Sequence, residues 1–146
     1  MSSEASIHKS IEIHGKTREV QKLFEQLLAE CRDRGFGKDD LFAIHLALEE
    51  AFVNAIRHGN QADLDKSVRV EYLVTHKKFD IKIQDQGPGF DPEGVPDPRS
   101  ENNLYKPCGR GLLLMKSYMD EVKFNETGNC VEMVKYRSEP SAGKIK

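Results

Sequence analysis

An alternating strand runs directly into a carboxylate and two glycines. Apolar and polar residues alternate strictly from Phe79 to Gln84, and Asp85 follows at once, with Gly87 and Gly89 close behind. A period of two predicts a strand with one buried and one solvated face, which is typical of antiparallel sheets covered on one side. The glycines predict a sharp turn in which the backbone can approach a flat ligand. The segment therefore predicts an antiparallel sheet in which a reactive carboxylate stands at the end of one strand.

A second motif lies on a predicted helix that begins at Asp39 or Asp40 and ends at residues 58–59. Glu50 and Asn54 are one turn apart on this helix, nearly opposite its apolar stripe, so we expect both to line a cleft. An amide oxygen such as that of Asn54 suits Mg²⁺, and the Glu50 carboxylate is a candidate general base. The apolar stripe consists of Leu41, Ile44, Leu48, Phe52 and Ala55.

A third motif, Gly109-Arg110-Gly111, precedes an apolar helix predicted over residues 111–120. Free N–H groups and the positive dipole end at a helix start favour phosphate oxygens, and Lys106 and Arg110 would add positive charge. The motif lacks the Lys-Ser/Thr pair of a P-loop and the spacing of the dinucleotide fingerprint. Taken singly, each motif fits an ordinary turn or a solvated helix face equally well. Their joint order indicates a magnesium–nucleotide site, in which the Asp85 carboxylate accepts a hydrogen bond from the exocyclic amine of adenine.

The remaining patterns complete a two-layer α+β arrangement, with helices on one face of a mixed, mostly antiparallel sheet. The proline-rich segment Pro88 to Pro107 is predicted to be a long loop, which in a compact domain is usually functional. We expect one domain over residues 1–138 and a flexible tail over 139–146, with fraying from Ser138 onward. The other predicted elements are a strand at 7–13, a helix from an N-cap at Thr17 to a stop at Gly35, a strand at 68–74, and a hairpin pairing 122–124 with 131–136 around Gly128.

Composition excludes several classes of protein. The 146 residues carry a formal net charge of −2, which gives no electrostatic argument for nucleic acid, since such binding usually demands a concentrated basic face. We predict no membrane span and no secretory signal, hence a cytoplasmic protein. Three cysteines without Cys-x-x-Cys spacing predict reduced thiols rather than a disulfide framework, and the scattered histidines predict no zinc site.

Taken in order, the three motifs resemble the GHKL ATPase superfamily and, within it, the anti-sigma-factor serine kinases. The resemblance covers about Asp39 to Tyr136 and implies a Bergerat fold that uses ATP and Mg²⁺. It implies that Glu50 is the catalytic base, Asn54 the magnesium ligand and Asp85 the adenine reader. It further implies that the 88–107 loop is the ATP lid. The expected nucleotide contacts are Asn54, Asp85, Gly87, Gly89, Lys106, Gly109, Arg110, Gly111 and Leu112.

The same resemblance implies partners. Proteins of this kind phosphorylate a serine on a small anti-sigma-factor antagonist, control the availability of a sigma factor, and commonly form homodimers. One alternative is a module that senses ATP or ADP and sequesters a regulator without transferring phosphate. Another is a histidine-kinase-like ATPase domain, although the residues before the motif helix leave no room for a helical hairpin bearing a phosphoaccepting histidine. A DNA-topology or mismatch-repair ATPase is disfavoured because no transducer domain is present.

Overall fold

A computed structural model describes residues 6–87 and 107–138, with the side chains of 107–110 excluded. Two helices separate the first strand from the second, and a third precedes the final hairpin. In chain order the elements are β1 (Ile7–Ile13), α1 (Thr17–Asp33), α2 (Lys38–Val53), a π-helical turn (Asn54–Gly59), β2 (Val68–Val74), β3 (Lys78–Gln84), α3 (Pro107–Tyr118), β4 (Glu121–Phe124) and β5 (Cys130–Tyr136).

The strands form one sheet in the order β1-β2-β3-β5-β4. All four strand pairings of the described residues are antiparallel, so the predicted mixed character is absent there. In the register Val70 pairs with Ile83, and Ile83 pairs with Val131, which places apolar side chains side by side on one face. The alternation predicted from sequence is thereby confirmed, because one sheet face is buried and the other meets solvent.

The helices cover the buried face of the sheet. Most of the core is aliphatic, and Phe24 packs edge-on against Phe52 with ring centroids 5.2 Å apart, joining α1 to α2. The largest fully buried side chains are Tyr72, Phe79, Leu27, Ile44, Leu48, Ile81, Ile83, Met115, Met133, Val68, Val70 and Val74. Residues from both layers are present in this set, which confirms the two-layer α+β fold.

α1 begins at Thr17, the residue predicted to be its N-cap. Lys16, rather than Thr17, is the N-cap residue, and Thr17 is the first helical residue. The Glu19 carboxylate accepts hydrogen bonds from the backbone N–H groups of His14 (3.0 Å) and Lys16 (3.2 Å), which satisfies donors that a helix start leaves open. At the other end Gly35 has φ +99°, so the predicted glycine stop is confirmed.

α2 also starts differently from the prediction. Gly37 is its N-cap, and Asp39 and Asp40 both lie in its first turn. Asp40 is buried, and its carboxylate accepts hydrogen bonds from the backbone N–H (2.8 Å) and the hydroxyl (2.7 Å) of Ser138. Ser138 is therefore fixed to α2, and the prediction that fraying begins at this residue is wrong.

α3 begins at Pro107, so the glycine motif lies inside its first turns rather than before it. Proline is favoured at the first helical position because its fixed φ suits a helix and its missing N–H would have no helical partner. The prediction that the helix begins at Gly111, and that the long loop continues to Pro107, is corrected accordingly. The rest of that loop, including Gly89 and Lys106, lies outside the described residues.

Candidate functional site

The first half of the site lies where α2 passes into the π-helical turn. Glu50 and Asn54 are both partly exposed, four residues apart, and Asn54 begins the π-helical turn. In this turn the N–H of Asn60 reaches back five residues to the carbonyl of Ala55, at 2.9 Å. Single π turns are rare and are frequently found at functional sites, although they also end helices. The helix predicted to run unbroken to residues 58–59 thus changes its winding at the very residue predicted to bind metal.

α3 approaches this motif through a glycine. A Cβ at Gly111 would lie 3.0 Å from Oε1 of Glu50 and 3.6 Å from Nδ2 of Asn54. The absence of a side chain at Gly111 therefore leaves space directly in front of both polar groups. The helical motif and the third motif are more than 50 residues apart in the sequence, and the fold brings them together.

Asp85 stands at the end of β3 and faces the end of the π-helical turn. Its Oδ1 accepts a hydrogen bond from the N–H of Gly87 at 2.7 Å. A Cβ at Gly59 would overlap the Asp85 carboxylate, and a Cβ at Gly87 would overlap the carbonyl group of Gly59. Both glycines are therefore required by close approach of the two segments, since any larger residue would force them apart.

Burial raises the pKa of Asp85 above its ordinary value, and the Gly87 N–H, which stabilises the ionised form, opposes that shift. The carboxylate thus lies in a partly desolvated position where hydrogen bonds to a ligand are stronger than in water. A perturbed carboxylate in a cleft is a typical feature of functional sites.

Asn54 and Asp85 line the same cleft, which has a volume of about 180 Å³. Its walls come from the motif helix, β3, α3 and the β4–β5 hairpin. Apolar cavities of roughly 150 Å³ hold a benzene ring, so this slightly larger cleft is of a size that admits a flat ring. The lining residues are Ala51, Asn54, Ala55, His58, Gly59, Ile83, Asp85, Met115, Phe124, Gly128, Asn129, Cys130 and Val131.

Glu50 lies on the other side of Asn54 and lines a second, wider groove between α1 and α2, of about 750 Å³. Among the described residues Asn54 and Glu50 thus line different pockets, and the gap at Gly111 adjoins both side chains. The reason is that Ala47 and Ala51 are also buried, so α2 packs through a wider face than the predicted stripe and α3 covers part of the Glu50 side.

The other predicted contacts divide into two groups. The backbones of Gly109 and Arg110 lie in the first turns of α3, and Leu112 is 8% exposed within the same helix, away from the cleft lining. Gly89, Lys106 and the Arg110 side chain lie outside what the structure describes. Within residues 6–87 and 107–138, no three His, Cys, Asp or Glu side chains cluster to hold a metal ion. No helix in those ranges is both long enough and apolar enough to cross a bilayer.

Two asparagines near Asp85 were not among the predicted site residues. Asn60 is 2% exposed and accepts a hydrogen bond from the N–H of Gln86 at 2.7 Å. Asn129 accepts one from the N–H of Asp85 at 2.9 Å through its backbone carbonyl. Asn60 follows the helix-ending glycine and Asn129 follows the hairpin glycine, so each has the local sequence signal of an ordinary turn residue.

Residues 13–135 match the family model of the histidine kinase-like ATPase domain. The chain belongs to this family. It is 30% identical over 112 residues to the serine-protein kinase RsbW of Listeria monocytogenes, an alignment that covers 72% of this chain and 71% of that protein. It is 33% identical over 115 residues to the serine-protein kinase RsbW of Bacillus licheniformis, covering 70% of this chain and 68% of the relative.

A solved structure shares the fold. The crystal structure of the RsbU and RsbW domains of Rv1364c from Mycobacterium tuberculosis superposes with a TM-score of 0.61 and 15% sequence identity. The match covers 92% of this chain and 34% of the mycobacterial chain, so it spans about a third of that longer protein. The GHKL-type fold expected from the three motifs is therefore confirmed for this histidine kinase-like ATPase domain.

Proposed function

We propose that this chain is an ATP-dependent protein-serine kinase that also acts as an anti-sigma factor. The observation that carries the proposal is that Asn54 and Asp85 line one cleft. Glu50 and Gly111 lie next to Asn54. Two relatives about 30% identical are serine-protein kinases, which supports phosphoryl transfer to a serine as the reaction.

At the base end, Asp85 accepts a hydrogen bond from the exocyclic amine of adenine. The carboxylate is a pure acceptor when ionised, so it favours a ring that presents an N–H₂ group over one that presents a carbonyl. The apolar residues around it, among them Ile83 and Met115, provide the faces between which a flat ring can lie. In this arrangement the sugar and phosphates extend towards Asn54.

At the phosphate end, the Asn54 amide oxygen would hold Mg²⁺. This ion keeps several waters and needs only one or two protein oxygens beside nucleotide phosphates, so a site without a cluster of carboxylates suits it. Gly111 has no side chain to crowd Asn54 and Glu50, so α3 does not obstruct an ion held by the Asn54 amide. When bound, the metal neutralises phosphate charge, and the α3 backbone near Gly109, with Arg110 and Lys106, completes the predicted phosphate contacts.

Glu50 acts as the general base in this proposal. It lines the groove between α1 and α2, so a serine hydroxyl entering from that side would meet the carboxylate before it meets the γ-phosphate. Glu50 accepts the hydroxyl proton as the serine oxygen attacks the γ-phosphorus, and ADP leaves. The serine belongs to a small anti-sigma-factor antagonist, and the other partner is a sigma factor.

The rest of the proposal concerns the setting of the protein. We assign one catalytic domain to residues 1–138 and a tail to 139–146, a cytoplasmic location and a homodimeric state, with no direct binding to nucleic acid or membrane. The anti-sigma role makes the protein act on transcription through another protein rather than through DNA.

The test is transfer of label from γ-labelled ATP to a purified anti-sigma-factor antagonist, with the same antagonist carrying alanine at its acceptor serine as control. We expect magnesium-dependent labelling of the serine form only, reduced by at least about 100-fold in Glu50→Gln. ADP affinity, measured by calorimetry, should be nearly unchanged in Glu50→Gln and strongly reduced in Asp85→Asn.

Two results would contradict the kinase proposal. Nucleotide binding that depends on Asp85, with no transfer under any condition, would identify a nucleotide-sensing module instead. Acid-labile, alkali-stable label on this chain itself would identify histidine-kinase-like chemistry.

A further inference from the structure

Asn60 is a buried polar residue that joins three segments of the chain. Its side chain is 2% exposed, and both ends of its amide are engaged. Oδ1 accepts the N–H of Gln86 at 2.7 Å, and Nδ2 donates to the carbonyl of Ser67 at 3.0 Å. A buried amide satisfied at both ends is costly to disturb, because removing one partner leaves the other desolvated. Asn60 therefore ties the end of the motif helix to the segment that carries Asp85.

Asn129 holds the same segment from the opposite side. Its backbone carbonyl accepts the N–H of Asp85 at 2.9 Å, and its Nδ2 donates to the Asp85 carbonyl at 3.4 Å. Asn125 fixes Asn129 in turn, donating to its Oδ1 at 2.8 Å. The N–H and C=O of Asp85, and the next N–H in the chain, thus all have asparagine partners.

The backbone after Asn60 is in an unfavourable conformation. Gln61 has φ +56° and Ala62 has φ +60°, two consecutive left-handed residues that are not glycine. Such conformations cost on the order of 1 kcal/mol or more each and persist only where the surroundings hold them. Here the two left-handed residues turn the chain from Asn60 back towards Ser67. The two hydrogen bonds of Asn60 therefore coexist with local backbone strain.

We propose that Asn60 and Asn129 form a clamp that sets the position of the Asp85 carboxylate and thereby the selectivity of the cleft for adenine over guanine. This inference rests on the proposed function, in which Asp85 reads the base. Adenine presents an N–H₂ donor where guanine presents a carbonyl acceptor, so discrimination depends on holding an acceptor at one place. A carboxylate free to move accommodates either base and loses both affinity for adenine and rejection of guanine.

The test compares Asn60→Ala, Asn60→Asp and Asn129→Ala with the unchanged protein. Dissociation constants for ATP and GTP are measured by calorimetry, well below the Tm of each variant. Asn60→Ala should lower the ATP-to-GTP preference by about tenfold or more. Asn60→Asp keeps an oxygen for the Gln86 N–H but loses the donor to the Ser67 carbonyl, so it should restore only part of the preference. Asn129→Ala keeps the backbone bond to Asp85 but removes the 3.4 Å side-chain bond to it and the bond from Asn125, and should lower the preference by about threefold.

The matched control is Asp63→Ala. Asp63 lies in the same turn and its Oδ1 accepts the N–H of Asp65 at 2.9 Å, so its loss weakens the turn without touching the clamp. This variant should have a lower Tm and an unchanged base preference. Amide hydrogen exchange of Gln86 in the ligand-free proteins gives an independent readout, and should accelerate in Asn60→Ala but not in Asp63→Ala.

The outcomes separate the clamp from the function on which it rests. If the unchanged protein binds no adenine nucleotide, the proposed function fails and the clamp has no base to select. If it prefers ATP and Asn60→Ala keeps that preference despite a lower Tm, Asn60 is only structural and the clamp is wrong. A changed preference with unchanged Gln86 exchange would also overturn it, because the effect would not pass through that hydrogen bond.

Discussion

The carboxylate of Asp85 lies directly against the Cα of Gly59, in space that any Cβ at position 59 would occupy. The two residues belong to different motifs, one at the end of the helical motif and the other at the end of β3. Their contact joins the base end of the cleft to the element that carries Asn54. The geometry of the site is thus set by backbone approach at a glycine as much as by the polar side chains.

Replacing Gly59 by alanine should displace the Asp85 carboxylate. Gly59 does not have a positive φ, so its backbone conformation suits alanine. The effect therefore comes only from the overlap between the new Cβ and the Asp85 carboxylate. We expect ADP affinity to fall by at least about tenfold in calorimetry. Gly37→Ala is the control, because a Cβ at that position would meet no atom within 4 Å. Because Gly37 is the N-cap of α2, Gly37→Ala should lower the free energy of unfolding by up to about 1 kcal/mol and leave ADP affinity unchanged.

Gly111→Ala should affect phosphoryl transfer more than nucleotide binding. The new Cβ would lie 3.0 Å from Oε1 of Glu50, so the carboxylate must shift by a few tenths of an ångström. A displaced base should lower kcat by about tenfold, while ADP affinity changes by less than about threefold. Ser117→Ala, at an exposed position of the same helix, should leave both unchanged. Equal kcat in Gly111→Ala would show that Glu50 has no part in the rate-limiting step.

Adenosine binding should depend on pH through Asp85. Burial raises the pKa of this carboxyl, and only the ionised form is a pure acceptor for the adenine amine. Affinity should therefore be complete above the raised pKa and fall as the pH is lowered through it. Adenosine is the suitable ligand because it has no phosphates that titrate in this range. In Asp85→Asn the binding should be weak and independent of pH, and a pH profile like that of the unchanged protein would refute the assignment.

Protein stability should depend on pH through Asp80, which lies on the solvated face of β3. Burial, with a hydrogen bond and repulsion from Glu132, raises the pKa of Asp80 to about 6, against the opposing effect of Lys78 and Lys82. The folded protein then binds a proton more tightly than the unfolded chain, so this contribution to the free energy of unfolding declines as pH rises from about 4 to about 6.

Asp80→Asn should therefore stabilise the protein at high pH, by about 1 kcal/mol after allowance for solvent screening. The measurement is urea unfolding at about pH 4, 6 and 8, which brackets the two pKa values. Glu126→Gln, a change at an exposed turn position, should leave the pH profile as it is. If the pH dependence of the free energy of unfolding is the same in Asp80→Asn as in the unchanged protein, the pKa of Asp80 is not raised.

Asp40→Ala should be severely destabilising. Besides its two hydrogen bonds from Ser138, Asp40 lies 3.7 Å from Nζ of Lys135, which is equally far from Asp120. Removing the buried carboxylate leaves the two Ser138 donors without their acceptor and Lys135 with Asp120 alone, at a cost of about 3 kcal/mol in the free energy of unfolding. Asp39→Ala, at the exposed neighbouring position in the same turn, should cost less than about 1 kcal/mol. Similar losses for the two variants would contradict the assigned role of Asp40.

The strands were predictable because their alternation reflects a sheet with one buried face. β2 has its predicted bounds of Val68–Val74, and the Gly128 turn with φ +83° joins β4 and β5 as expected. The spacing of Glu50 and Asn54 placed them one turn apart on a helix because helical periodicity is local. The order of the three motifs along the chain is visible in the sequence, and this order was enough to predict the family.

Features that depend on distant contacts were not predictable. The N–H of Gln86 finds its partner in Asn60, 26 residues earlier, and the Asp85 carbonyl finds one in Asn129, 44 residues later. No local pattern distinguishes such asparagines from turn residues. The π-helical turn is equally hidden, because helix propensities describe which residues favour a helix and not which carbonyl each N–H will reach.

That turn has a consequence for how related sequences are compared. A π turn closes its hydrogen bond over one more residue than an α-helical turn does. Deleting one residue between Asn54 and Gly59 would therefore remove the extra residue and return this segment to α-helical winding. An alignment gap of a single position within this segment therefore marks a change of architecture in the site, whereas a longer gap in a surface loop marks only a change of length.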